Sequence, residues 1–177
     1  MNLLVAGDLT LQNRALCIKW NNDQLMESFQ DVKDVIEKCD YAIVNLESPV
    51  TESKESIIKD GPTLKNPSWV FNILHYCGFK GVTLANNHLK DYGSKGVLDT
   101  LQRCKMEGTD IVGAGVNIND ARQPLVLKLR DLTVGILNVC EHESSIATNK
   151  SAGANPLDYP YLFEDIADLK SKVDKII

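Results

Sequence analysis

Short apolar runs that end abruptly in acids and amides, spaced by segments of helical period, constrain this chain more than any other feature. Asn2–Asp8 reads as a first strand closing on Gly7-Asp8, and Tyr41–Leu46 as a second running into Glu47-Ser48-Pro49. Lys80–Leu84 reads as a third, opening into Ala85-Asn86-Asn87-His88. Between the first two, Leu25, Phe29, Val32, Ile36 and Cys39 recur every three or four residues, which predicts an amphipathic helix over 23–39 with Asp23 as its cap. Asn66 as cap, Pro67 in the first turn and Gly78 as the stop punctuate a second helix, with Val70, Ile73, Leu74 and Cys77 on its apolar face. A third helix is expected over 94–107, with Val97, Leu98, Leu101 and Cys104 inward and Gly108 as its stop.

The remainder continues the pattern. Asp110–Val112 is a short strand, Leu125–Leu129 and Thr133–Val139 form a hairpin about Arg130-Asp131, and Glu164–Val173 is a last helix. Residues 51–62 read as a polar loop. This order predicts an α/β fold with a largely parallel sheet, right-handed crossovers and an added antiparallel hairpin. No repeat, low-complexity segment or linker interrupts 1–177, so the whole reads as one domain. Lys175-Ile176-Ile177, directly after a helix, looks like the start of a buried strand. The expectation is therefore a domain truncated at its C-terminus.

Composition excludes some functions. The net charge is −5 and the 19 Lys and Arg residues form no basic run, which argues against a nucleic-acid partner. No apolar stretch approaches the roughly 20 residues that span a bilayer. The five cysteines include no CxxC pair, and free thiols in a reducing compartment are the simplest reading. With no leader-like N-terminus, a cytoplasmic chain is expected.

The chemistry collects where an open α/β sheet binds ligands, at the carboxyl ends of its strands. Those positions hold Asp8, then Asn45 and Glu47, then Asn86, Asn87, His88 and Asp91, and finally Glu141 and His142. Acids, amides and a few imidazoles suit divalent ions such as Mn, Mg, Fe or Zn, and two such ions can clamp a phosphoryl group. A neighbouring His can protonate a leaving group. Each piece alone has a plainer reading. Gly7-Asp8 is equally a turn, Asn45 and Glu47 can cap a loop, Asn86-Asn87-His88 can start a helix, and Glu141-His142 can be an ordinary loop. Agreement in position is what raises the first three. His75 lies beside its helix's apolar stripe and reads as a surface residue, and Gly113-Ala114-Gly115 reads as a tight turn rather than a phosphate cradle.

On three stretches (Gly7-Asp8-Leu9-Thr10-Leu11, Asn45-Leu46-Glu47-Ser48-Pro49 and Leu84 through Gly93) the chain resembles the capsule synthesis protein A (CapA) family. That family is also described for poly-γ-glutamate synthesis and lies within the calcineurin-like metallophosphoesterase superfamily. Gly113-Ala114-Gly115-Val116-Asn117 and Ala121-Arg122 extend the likeness in the right order. The resemblance implies a sandwich of mixed sheets flanked by helices, of which this chain holds the N-terminal part. It implies two divalent ions, with Asp8 on the first metal, Glu47 bridging and Asn87 on the second. His88 would be the catalytic imidazole and Asp91 the residue that orients it. Thr10 stands where the wider superfamily often has His, and the family's later His motifs fall outside these residues.

The function implied is biosynthesis of a capsule or poly-γ-glutamate-type polymer through a metal-dependent phosphoesterase site acting on a phosphoester or polymer precursor. A 5′-nucleotidase-like phosphatase is one alternative, because Asn87-His88-x-x-Asp91-Tyr92-Gly93 resembles that motif too. A non-catalytic scaffold or polymer-binding subunit is another. Other polymer-synthesis subunits and a homodimer are the expected partners, and a membrane-anchored extracytoplasmic parent is the alternative location.

Overall fold

The computed structural model describes residues 1–11 and 22–177, the side chains of Asn22 and Asp23 excepted. Cys17 and the capping role expected of Asp23 fall outside the described residues. Four parallel strands form the main sheet in the order β1 (Leu3–Leu9), β2 (Tyr41–Leu46), β3 (Gly81–Thr83) and β4 (Asp110–Val112). The helices between them are α1 (Asn22–Glu27), α2 (Gln30–Ile36), α3 (Val70–Cys77) and α4 (Gly93–Glu107). Next come a two-residue strand β5 (Ala114–Gly115), α5 (Ile118–Ala121) and the hairpin β6 (Leu125–Leu129) and β7 (Leu132–Ile136). The chain ends with β8 (Gly153–Ala154), α6 (Tyr159–Lys170) and β9 (Lys175–Ile176). β6 and β7 pair antiparallel and β9 joins β7 in parallel, so Lys175-Ile176 is a strand, as its composition suggested.

β2 shows why the sheets stack. Its run of apolar residues is buried on both faces, and successive side chains point opposite ways. Ala42, Val44 and Leu46 enter the core beneath α3 and α4 with Val70, Phe71, Ile73, Leu74 and Val97. Tyr41 and Ile43 enter a second core with Val112, Leu127, Leu129, Val134 and Ile136 of the hairpin sheet. The molecule is thus layered helices, parallel sheet, mixed sheet. This is the mixed α/β arrangement the resemblance implied. The completely buried Leu74 and Ile73 each contribute about 1.5–3 kcal/mol, and truncating either to Ala would cost about 2–5 kcal/mol.

Several boundaries differ from the sequence expectation. The single helix over 23–39 is two, broken at Ser28 and Phe29, where the Ser28 hydroxyl donates to the Leu25 carbonyl at 2.6 Å and competes with the helical ladder. The α3 cap is Trp69 rather than Asn66, whose side chain is used elsewhere. The last helix starts at Tyr159, with the Asp158 side chain accepting from the Tyr161 N–H and Pro160 in the first turn. Gly78 and Gly108 do end α3 and α4, at φ 89° and 67°, a region costly for other residues.

Candidate functional site

β1, β2 and β3 run parallel, so their carboxyl ends lie along one edge. The β1–β2 register slips between Ala6 and Asp8, leaving Gly7 as an extra residue that re-aims Asp8 toward β2. The Asn45 amide nitrogen donates to Asp8 Oδ1 at 2.6 Å. Asn45 Oδ1 accepts from Thr83 Oγ1 at 3.2 Å and from the Asn86 amide at 3.3 Å. One amide thereby links the ends of all three strands. Asp8 and Asn87 are exposed and Glu47 is half-buried, so the three expected metal ligands face solvent at this edge.

The turn that leaves Glu47 is held tightly. Ser48, fully buried, adopts φ 75°, an unusual conformation for a residue with a side chain, at a cost of order 1–3 kcal/mol. Asn66 secures it. Its amide nitrogen donates to the Glu47 carbonyl at 2.7 Å and to Ser48 Oγ at 3.1 Å. Its oxygen accepts from the Leu11 N–H at 2.8 Å. The loops after β1 and β2 are therefore clamped together by a residue that resembled a helix cap in the sequence.

The third strand end builds a different kind of structure. Asn86 Oδ1 accepts from the His88 N–H at 3.1 Å, so the capping reading of this segment holds locally. The imidazole itself turns to Asp91, with Nδ1 2.7 Å from Oδ2. Asp91 is completely buried and also accepts from the Leu64 N–H at 2.7 Å and from Lys59 Nζ at 2.5 Å. Lys59 Nζ lies 3.2 Å from His88 Nδ1. Lys59 comes from the 51–62 segment, where nothing in the periodicity singled it out. Lys90 points away, donating to the Ile146 carbonyl at 3.1 Å and to Ser151 Oγ at 3.2 Å, and burial lowers its pKa. Asn138, also unforeseen, accepts from the Ala85 N–H at 2.7 Å and leaves Gly113 no room for a side chain.

Glu141 and His142 are exposed on the loop after β7, and His75 is a surface residue 3.8 Å from Glu107. Among the described residues, no three His, Cys, Asp or Glu side chains converge as a metal shell requires. The oxygens of Asp8, Glu47 and Asn87 have the right chemistry for a hard divalent ion, but they amount to a partial shell.

This arrangement is met by a sequence match over nearly the full length: residues 2–177 match the family described as bacterial capsule synthesis protein PGA_cap. The chain belongs to that family. Its superfamily is metallophosphoesterase-like, which accords with acids, amides and a His–Asp pair along one sheet edge. The PGA biosynthesis protein CapA of Bacillus subtilis (strain 168) is 29% identical over 153 residues, covering 84% of this chain and 40% of the relative. The capsule biosynthesis protein CapA of Bacillus anthracis is 29% identical over 147 residues, covering 80% of this chain and 36% of the relative. The chain thus spans about two-fifths of the length of these curated relatives. Among the described residues of this PGA_cap member, no helix is long and apolar enough to cross a membrane.

Proposed function

We propose that this chain serves the synthesis of a capsule or poly-γ-glutamate-type polymer through a phosphoesterase-like site acting on a phosphoester or polymer precursor. The observation that carries the reading is the part-buried His88 paired with the buried Asp91 at the strand edge that also presents Asp8, Asn45 and Glu47. Both curated relatives are named for capsule or PGA biosynthesis, which supports the polymer assignment.

In phosphoester cleavage the departing oxygen needs a proton. With Nδ1 engaged by Asp91, His88 has Nε2 left to exchange it, and a positioned imidazole contributes about 10²–10⁴-fold. Asp91 fixes the ring as the orienting carboxylate does in other His-dependent sites. Asp8, Glu47 and Asn87 would hold a divalent ion, which when bound would supply Lewis-acid and hydroxide chemistry. Asn45 positions Asp8, and Asn66 with the strained Ser48 positions Glu47.

The test is hydrolysis of p-nitrophenyl phosphate and a nucleotide panel in Mn²⁺, comparing wild type with His88→Ala. Loss of roughly 10²–10⁴-fold in rate supports the reading. A preference for nucleotides would move it to a nucleotidase. Equal rates in the two proteins would sink it, and the partial metal shell would then favour a polymer-binding scaffold. We also propose a cytoplasmic location, because the four described cysteines are unpaired and two are buried, which suits a reducing compartment. Recovery on the outer membrane face would overturn that.

A further inference from the structure

We infer that Asn138 is a substrate-binding residue: the nitrogen of its side-chain amide donates to an anionic oxygen of the phosphoester, while the oxygen of the same amide anchors the third strand end. The identity of the anion rests on the phosphoesterase reading; the geometry of Asn138 does not.

A phosphoester brings negatively charged oxygens to an edge that already carries Asp8 and Glu47, so its recognition calls for hydrogen-bond donors. Most side-chain donors along that edge are spent. The Asn45 amide is given to Asp8, that of Asn66 to Glu47 and Ser48, and that of Asn86 to Asn45 and the Leu46 carbonyl. Lys59 is given to Asp91, and Lys90 to Ile146 and Ser151. The Asn87 amide is unspent, but that side chain is exposed and its oxygen is the one proposed for the ion. Asn138 differs from all of these. Its oxygen accepts from the Ala85 N–H at 2.7 Å, which settles the amide's orientation because a backbone N–H can only donate. Its nitrogen has no partner among the described residues.

The donor is also held in place. Asn155, 3% exposed, donates its amide to the Asn138 carbonyl at 3.1 Å and its N–H to the Gly113 carbonyl at 2.9 Å. Gly113 leaves Asn138 Oδ1 the space that a side chain there would fill. Asn138 follows β7, so these bonds bring the mixed sheet up to the carboxyl end of β3, directly before Asn86-Asn87-His88. A plainer role is a staple between the two sheets. A staple uses only the acceptor, and a carboxylate would serve it better, since a charge-assisted hydrogen bond is about twice as strong as a neutral one. The amide keeps the acceptor and adds a donor that the staple leaves over. A carboxylate in its place would also repel an anion.

The isosteric Asn138→Asp separates the two ends of the amide, because it keeps an acceptor for Ala85 and replaces the donor by a charge. In 15N spectra of the labelled chain in Mg²⁺, the side-chain NH2 pair of Asn138 is assigned by its loss in Asn138→Asp. Titration with inorganic phosphate should shift that pair saturably in wild type. By calorimetry, Asn138→Asp should bind phosphate roughly 10–100-fold more weakly while the Ala85 amide keeps its exchange protection. In the hydrolysis assay its kcat/KM should fall by a similar factor. Absence of phosphate binding in wild type, a side-chain pair that stays put at saturating phosphate, or equal phosphate affinity in the two proteins would each overturn the assignment. Should Asn138→Asp fail to fold or lose the Ala85 protection, the wild-type shift decides alone. Phosphate bound through Asn138 with no phosphoester cleaved would sink the phosphoesterase reading and leave this contact standing.

Discussion

The two halves of the strand edge are built differently. Around Asp91 every acceptor is taken: a lysine, a backbone N–H and an imidazole converge on a side chain with no exposure. Around Asp8, one amide bond from Asn45 holds an exposed carboxylate, and Glu47 and Asn87 stand open at the same edge. The backbone beneath the open half is nonetheless fixed, by the Asn66 clamp and the strained Ser48. The difference teaches that the chain's own bonds already fix the His88–Asp91 half. In the proposed reading, the oxygens of the other half that Asn45 does not engage are left for a ligand.

Substitutions can break or sharpen that contrast. The largest effect belongs to Asp91→Ala, which strands a buried ammonium and a backbone N–H. We expect a loss of about 3–5 kcal/mol in urea unfolding, and a loss under 1 kcal/mol would mean that the cluster is not buried as described. Asn66→Ala comes next, at about 1–3 kcal/mol, because the Leu11 N–H and the Glu47 carbonyl lose their partner. Its unfolding should be accompanied by altered shifts at Glu47 and Ser48, and an unchanged spectrum there would remove the clamp from the account. Asp8→Ala should leave stability within about 0.5 kcal/mol of wild type, as for an exposed side chain. A large loss would show the open half to be structural after all.

The pH axis probes the packing of the core. Burial pushes the Cys104 thiol of α4 up to about 12 and those of Cys77 and Cys140 to about 11, and it also raises Tyr41, which donates to Asp110. A group whose pKa is raised by folding contributes stability that is whole below its unfolded pKa and is lost as pH rises through the folded value. Unfolding free energy should therefore hold to about pH 9 and fall between about pH 9 and 12. Lys90, lowered by burial, acts in the opposite sense and offsets part of the fall. Tyr41→Phe should flatten the decline, and an unchanged slope would contradict its burial.

Much of the fold was legible because burial on both faces of β2 and the three-to-four spacing in α3 and α4 leave a mark on composition. The placement of the candidate residues at strand ends was legible for the same reason, since strands end where apolar runs stop. What escaped depends on contacts between distant segments. Asn66 has the local signature of a cap, yet its amide is drawn to Glu47 and Leu11. Lys59 sits in a polar stretch, and only its reach to Asp91 distinguishes it from neighbouring charges. The start of α6 was readable in Asp158-Tyr159-Pro160, a cap followed by proline, but the later apolar spacing of Ile166, Leu169 and Val173 pointed further along. Glu141 and His142 end an apolar run as the others do, and they stand exposed on the segment between Asn138 and Ser145, which bond to Ala85 and Lys90 at the third strand end.

The central claim is that Asp8, Glu47 and Asn87 are kept open for a divalent ion beside a preformed His88–Asp91 pair. The most direct measurement is a calorimetric Mn²⁺ titration of the chain and of Glu47→Gln. The account predicts weak binding in wild type that disappears in Glu47→Gln while the two unfold at the same urea concentration. Absence of binding in wild type, or equal binding in both proteins, would contradict it.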